Sequence, residues 1–293
     1  MTEKHRLTKA KEFLEKLMGD DFTPLISVTL GSGLKYLVEL LEDARSCQYS
    51  EIPGCPVPNV TGHEGVFWWG KLNGVPVILL QGRKHLYEGC SVEDAVFLTR
   101  LVIMLDVKKL ILTHATGAVT RNLIPGDIVS VWSQIAGNCP DPTAGQDALE
   151  LGVEFTPIAP VFNKQFLQIA RECALQKGVA LHRGVSYFWS GRNFEDYAEG
   201  DAMARLGADV ATMSTVPEIK AAVQMLIQAK KGGGLEMKKG EGVLDLALVT
   251  DMVENVRDTG DAVSHDEVQD VGERMKEPFC RLVMAIVKEM SKI

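Results

Sequence analysis

Ile26-Ser27-Val28-Thr29-Leu30 runs directly into Gly31-Ser32-Gly33-Leu34, an apolar, partly β-branched segment followed by a glycine-flanked serine. The first five residues have the length and composition of a buried strand. In an open α/β sheet, loops at the carboxyl ends of strands line one crevice, and ligands bind there. Glycines in such a loop let the backbone bend and turn N–H groups towards an anion, and a serine hydroxyl adds a donor. The same tetrapeptide also fits a tight strand-to-helix turn that binds nothing. It is not a dinucleotide fingerprint, because Tyr36 stands where the third glycine belongs, and no Gly-Lys-Ser/Thr follows to make a Walker loop.

Similar runs recur along the chain at Val75–Leu80, Leu110–Thr113, Asp127–Trp132, Val185–Trp189, Asp209–Thr212 and Leu244–Val249. Helical periodicity marks Leu7–Met18, Val92–Leu105, Asn163–Gln176 and Pro217–Ala229. Ser264 and Glu267 have capping-box spacing and open a long amphipathic helix over Asp266–Ile293. Strands alternating with helices predict an α/β fold: one domain over residues 1–293, with a central mixed, largely parallel β-sheet flanked by helices. Asn138–Asp147, rich in Pro, Gly, Asn and Asp, reads as a loop able to cover a site. The Lys/Gly-rich stretch 230–242 reads as an exposed insertion.

The 293 residues are 46% hydrophobic and 24% charged, as in an ordinary soluble globule. A formal net charge of -8 argues against non-specific binding to nucleic acid or an anionic membrane. The six cysteines are scattered without a CxxC pair, which fits reduced thiols in a cytoplasmic protein. No run approaches the ~18 apolar residues that span a bilayer.

Several strand ends carry chemistry. Val75–Leu80 delivers Gln81-Gly82-Arg83-Lys84-His85-Leu86-Tyr87-Glu88-Gly89, in which Arg83 offers a planar fork of donors and His85 another; alone, both also fit a surface loop. Leu110–Thr113 delivers His114-Ala115-Thr116-Gly117, small residues that suit a close approach to a ligand or to a helix. Phe194 and Glu195 follow Val185–Trp189, an aromatic and a carboxylate suited to a flat heterocycle, although Phe194 also fits a core. Met213-Ser214 precedes Pro217, which places Ser214 near a helix start, and Leu244–Val249 delivers Thr250-Asp251. No His/Cys/carboxylate set has metal spacing and no GxSxG elbow is present. Together these ends describe one pocket for an anion and a heterocycle, without covalent catalysis.

The chain resembles the trimeric purine nucleoside phosphorylase family from about Leu7 to the C-terminal helix. The likeness rests on Gly31–Leu34, Tyr49–Pro53, Gly62-His63-Glu64-Gly65, Gln81–Gly89, Leu206–Val210 and Met213–Glu218 in that order and spacing. The resemblance implies phosphorolysis of a purine nucleoside to free base and ribose 1-phosphate in purine salvage, in a homotrimer, with inorganic phosphate as co-substrate and no cofactor or metal. It implies that Ser32, His63, Arg83, His85, Ser214 and the backbone N–H of Ala115 hold phosphate. Tyr87, Met213 and His265 would meet the ribose. Phe194, Glu195 and Asp251 would bind the base, and Phe155 would cap the pocket of a neighbouring subunit. His85, Glu195, Asp251 and His265 are the catalytic candidates.

Departures from the family pattern bear on specificity. Asp251 stands where the family has Asn; an ionised Asp repels a 6-oxo group and accepts from a 6-amino group. Glu195 points the other way, since a carboxylate pairs with the N1–H of a 6-oxopurine. His114 replaces the usual Asn, Arg192 the usual Pro, and Ser133-Gln134-Ile135-Ala136 a more conventional Asp-His-Ile-Asn run. Asp251 also admits a 5′-methylthioadenosine phosphorylase, although His265 favours a plain 5′-hydroxyl. The substitutions admit a catalytically weakened nucleoside-binding homologue as well.

Overall fold

Apolar faces on both sides of a nine-stranded sheet organise the chain. The computed structural model describes residues 2–31, 35–60, 64–230, 234–257 and 263–293, with Lys35 and His265 described by backbone alone. In chain order the elements are α1 (Glu3–Met18), β1 (Ile26–Leu30), β2 (Glu42–Gln48), β3 (Val66–Leu72), β4 (Val75–Gln81), α2 (Val92–Met104), β5 (Lys109–Ala118), β6 (Ile128–Ile135) and α3 (Gln146–Leu149). They continue with α4 (Lys164–Lys177), β7 (Leu181–Phe188), α5 (Tyr197–Arg205), β8 (Val210–Thr212), α6 (Thr215–Leu226), β9 (Gln228–Ala229), β10 (Leu235–Glu236), β11 (Gly242–Met252) and α7 (His265–Met290).

The sheet order is β11-β6-β7-β8-β5-β1-β4-β3-β2, and β11 pairs a second time with β5. That second pairing closes β5, β11, β6, β7 and β8 into a ring, while β1, β4, β3 and β2 extend from it as an open wing. β5 lies parallel to β1 and β11, whereas β6 and β8 run antiparallel to their neighbours β11 and β5. Alternation along β11 explains how the ring is packed. Val243, Ala247 and Val249 join the core under α1, α2 and α6, and Leu244, Leu246 and Leu248 join the core under α4 and α7. A strand buried on both faces reads as a continuous apolar run.

Local signals account for the helix ends. Thr2 caps α1 through a bond from the His5 amide, and Gly19 ends it with φ 80°. Asn163 caps α4, Gly178 closes it in the left-handed region, and Ser264 caps α7. The helix expected over Pro217–Ala229 instead ends at Leu226, and Gln228–Ala229 pairs antiparallel with Leu235–Glu236. Part of the expected 230–242 insertion thus carries a short ladder; Lys231–Gly233 lies outside the described residues. β2 and β3 are strands that periodicity does not reveal.

Candidate active site

β5 pairs with β1 only over Lys109–Leu112 and with β8 only at Gly117–Ala118. Between those ladders, at residues 113–116, the sheet splits and a cleft of about 410 Å³ opens. This is a topological switch point, the place where open α/β sheets bind ligands. The crevice is therefore not the carboxyl edge of one parallel set, as the sequence suggests. β8 runs antiparallel to β5, and its end folds back beside His114.

Arg83, His85, Ala115 and Ser214 line the cleft. Gly31 also lines it, and its need for glycine is a close approach: a Cβ there would lie 2.5 Å from the Thr113 carbonyl oxygen and 2.6 Å from the His114 Cα. Arg83 is buried, donates from Nη1 to the Thr113 carbonyl at 2.8 Å, and has Glu218 3.4 Å from its Nε. Burial raises the pKa of Glu218, and the Arg83 charge opposes that rise.

The 83–89 loop is held by Glu88, which the sequence reading passes over. Its carboxylate accepts from the backbone N–H groups of His85 and Asn59, both at 2.7 Å, and from Lys84 Nζ at 2.9 Å. Burial opposes its ionisation, but hydrogen bonds from the His85 ring, Lys84 and those two amides hold its pKa at about 2. The spacing His85-x-x-Glu88 is a capping box on one turn of 3-10 helix. The His85 ring stacks on Tyr87 at 4.6 Å, and burial lowers its pKa against the pull of Glu88.

Ser214 stands at the start of α6, in the turn Thr212-Met213-Ser214-Thr215. Two further buried groups that the sequence reading missed, Glu218 and Asp245, lie beneath this turn, together with His114. A charged residue inside Val243-Leu244-Asp245-Leu246-Ala247 was the available signal, because a lone carboxylate in a buried strand requires a partner.

Phe194, Glu195 and Asp251 also line the cleft, with Tyr87 and Met213 on its wall. Burial raises Glu195 to about 7, with the Asp251 charge adding to the rise. Burial likewise raises Asp251 to about 6, against a 2.8 Å hydrogen bond from Thr250 Oγ1. The strand β11 slips register between Val249 and Asp251, which pairs Asp251 with Gly117. A Cβ at Gly117 would come within 2.8 Å of Asp251 Oδ2.

The structure thus brings Arg83, His85, Ala115, Ser214, Tyr87, Met213, Phe194, Glu195 and Asp251 to one cavity. Ser32 and His63 lie outside the described residues, as does the side chain of His265. Phe155 stands away from this cleft and is 81% exposed. Arg192 lines the cavity, its guanidinium 5.8 Å from the centre of the Tyr87 ring. Among the described residues no helix is long and apolar enough to cross a membrane, and no group of three or more His, Cys, Asp or Glu is arranged to hold a metal.

Residues 26–288 match the family model described as the phosphorylase superfamily, and the chain belongs to that family. Within it, the chain is 33% identical over 286 residues to purine nucleoside phosphorylase 1 of Geobacillus stearothermophilus, covering 98% of both proteins. Among solved structures, the Schistosoma mansoni purine nucleoside phosphorylase in complex with inosine superposes with a TM-score of 0.87 at 26% identity, covering 99% of this chain and 98% of that one. The complex of the Schistosoma mansoni enzyme with adenosine gives a TM-score of 0.86 at 26% identity, covering 99% of both chains.

Proposed function

We propose that this protein is a purine nucleoside phosphorylase, cleaving purine ribo- or deoxyribonucleosides with inorganic phosphate to free base and pentose 1-phosphate. The observation that carries the reading is the lining of one cleft, where Arg83, His85 and Ser214 offer donors to an anion and Phe194, Glu195 and Asp251 suit a flat heterocycle. Arg83, His85, Ser214, the Ala115 N–H, Ser32 and His63 hold phosphate. Its negative charge stabilises the positive charge that develops on the sugar. A phosphate oxygen bonds to C1′ as the C1′–N9 bond breaks, and the electron pair moves into the purine. Glu195 accepts from N1–H of a 6-oxopurine. Asp251, with its raised pKa, supplies a proton or hydrogen bond at N7 of the leaving base. Tyr87, Met213 and His265 bind the ribose.

The test is a panel of inosine, guanosine and adenosine with phosphate. Phosphate-dependent release of base from at least one supports the reading, and release from none refutes it. Asp251 favours a second reading, in which the substrate carries a 6-amino group, as in adenosine or 5′-methylthioadenosine. Turnover of the methylthio substrate well above adenosine would select it. Nucleoside binding without turnover would instead mark a weakened homologue.

The same reading makes the protein a cytoplasmic homotrimer needing no cofactor, with Phe155 of one subunit covering the cleft of the next. Its exposure in the single chain supports that role. A solution mass of one chain, or an unchanged nucleoside KM in Phe155→Ala, would contradict it. The free cysteines among the described residues fit a reducing compartment, and recovery of the protein outside the cytoplasm would count against that setting.

A further inference from the structure

His114 and Asp245 meet where two parallel strands turn the same face towards α6. Leu110 and Leu112 on β5, and Val243 and Ala247 on β11, belong to the core on that side, and alternation carries His114 and Asp245 with them. Nε2 of His114 lies 3.2 Å from Oδ1 of Asp245, and the two residues are 2% and 0% exposed. The contact is at ion-pair distance without hydrogen-bond alignment, and neither atom has a hydrogen-bond partner among the described residues. The other ring nitrogen, Nδ1, is 3.1 Å from the Ala115 carbonyl oxygen.

The same two side chains grip the turn that carries Ser214 at both of its ends. Thr212 Oγ1 is 3.1 Å from His114 Nδ1, and Thr215 Oγ1 donates to Asp245 Oδ2 at 3.2 Å. Between them, the Ser214 amide donates to Thr212 Oγ1 at 3.4 Å, and the two hydroxyl oxygens stand 3.5 Å apart. The other charges facing this cluster are Glu218 on α6 and Arg83 on the loop after β4, themselves 3.4 Å apart. Two acids and two bases thus sit under the cleft, and only His114 and Arg83 line it.

We propose that His114, packed against Asp245, is a positioning residue that braces the Thr212–Thr215 turn and fixes the oxyanion donors of Ser214 and α6. The inference rests on the phosphorolytic reading for its purpose, but its test does not require turnover. Asp245→Asn keeps the shape and an acceptor for Thr215 while removing the carboxylate that faces His114 Nε2.

Calorimetric titration of inorganic phosphate into wild type and Asp245→Asn should show about tenfold weaker binding in the variant, the scale of one charge-assisted hydrogen bond. Binding of free hypoxanthine, which the proposed function assigns to Phe194, Glu195 and Asp251, should stay within about twofold, whereas a purely structural role would move both or neither. His114→Asn should behave alike. The double variant should cost no more than either single one, because the residues act as a unit. Equal phosphate affinity in wild type and both folded single variants overturns the proposal, and so does failure of both to fold, which would make the pair a core ion pair only. Absence of base release by the wild type overturns the proposed function and leaves this comparison standing.

Discussion

Replacing Glu195 by Gln tests the claim that the cleft wall stores a carboxyl group out of water. Burial lifts this group from 4.5 to about 7. The folded state therefore binds its proton more tightly than the unfolded chain does, so its favourable contribution is complete below pH 4.5 and disappears as the pH climbs through 7. At about 1.4 kcal/mol per tenfold change in acidity, the ionised group costs the folded protein roughly 3 kcal/mol above pH 7. Gln carries no such cost. The stability of Glu195→Gln relative to wild type should rise by roughly 2.5 kcal/mol between pH 5 and pH 8. In melting temperature the gain at pH 8 is roughly 4 °C for a chain of this size. Paired thermal or urea unfolding curves at four pH values measure it. A difference that stays flat from pH 5 to 8 would refute the reasoning, because the carboxyl would then ionise as freely in the folded protein as in the unfolded chain. A 6-oxopurine, presenting N1–H, needs the carboxylate, so base binding near pH 6.5 should release a proton from the wild type and none from the variant.

Asp251→Asn should shift the inosine-to-adenosine ratio of kcat/KM upward by about 10- to 100-fold near neutral pH, since the amide can donate to a 6-oxo group; an unchanged ratio in steady-state assays would show that Asp251 does not read the base. Gly117→Ala places a methyl 2.8 Å from Asp251 Oδ2 and 2.9 Å from Val253 Cγ2, and overpacking of that kind costs about 1–3 kcal/mol. The expected outcome is a lower melting temperature with a larger relative loss of nucleoside affinity than of phosphate affinity. Glu88→Gln weakens the four bonds that hold the 83–88 loop, so phosphate KM should increase by about tenfold. In the wild type, that carboxylate's contribution is present above pH 4.5 and disappears as the pH falls towards 2, which acid unfolding of wild type and variant compares.

In the ring, β5, β8 and β11 were legible because burial on both faces leaves an apolar run, and each run carried its loop motif to the cleft. β2 was not legible. Glu42–Gln48 is almost wholly exposed, with only Cys47 buried, so its strand conformation comes from the ladder with β3 rather than from its own pattern. Gly70 in β3 records that contact, because a Cβ there would meet the Glu42 carbonyl at 2.6 Å. At the site, Arg83 and Glu195 stood out as polar groups at strand ends. Glu218 and Asp245 did not, because they lie inside elements and act on the cleft through Arg83, His114 and Thr215. Sequence spacing shows which loops converge; which buried charges balance one another depends on distances across the sheet.

β11 is the last strand of the sheet in the sequence, yet it occupies the seam between β5 and β6. On a ribosome, every other wall of the ring emerges first and waits with two unpaired edges. Exposed strand edges invite pairing with other chains. A released chain truncated near residue 240 should therefore be a strong client for chaperones. One that keeps β11 through Met252 already has the strand that seals the seam.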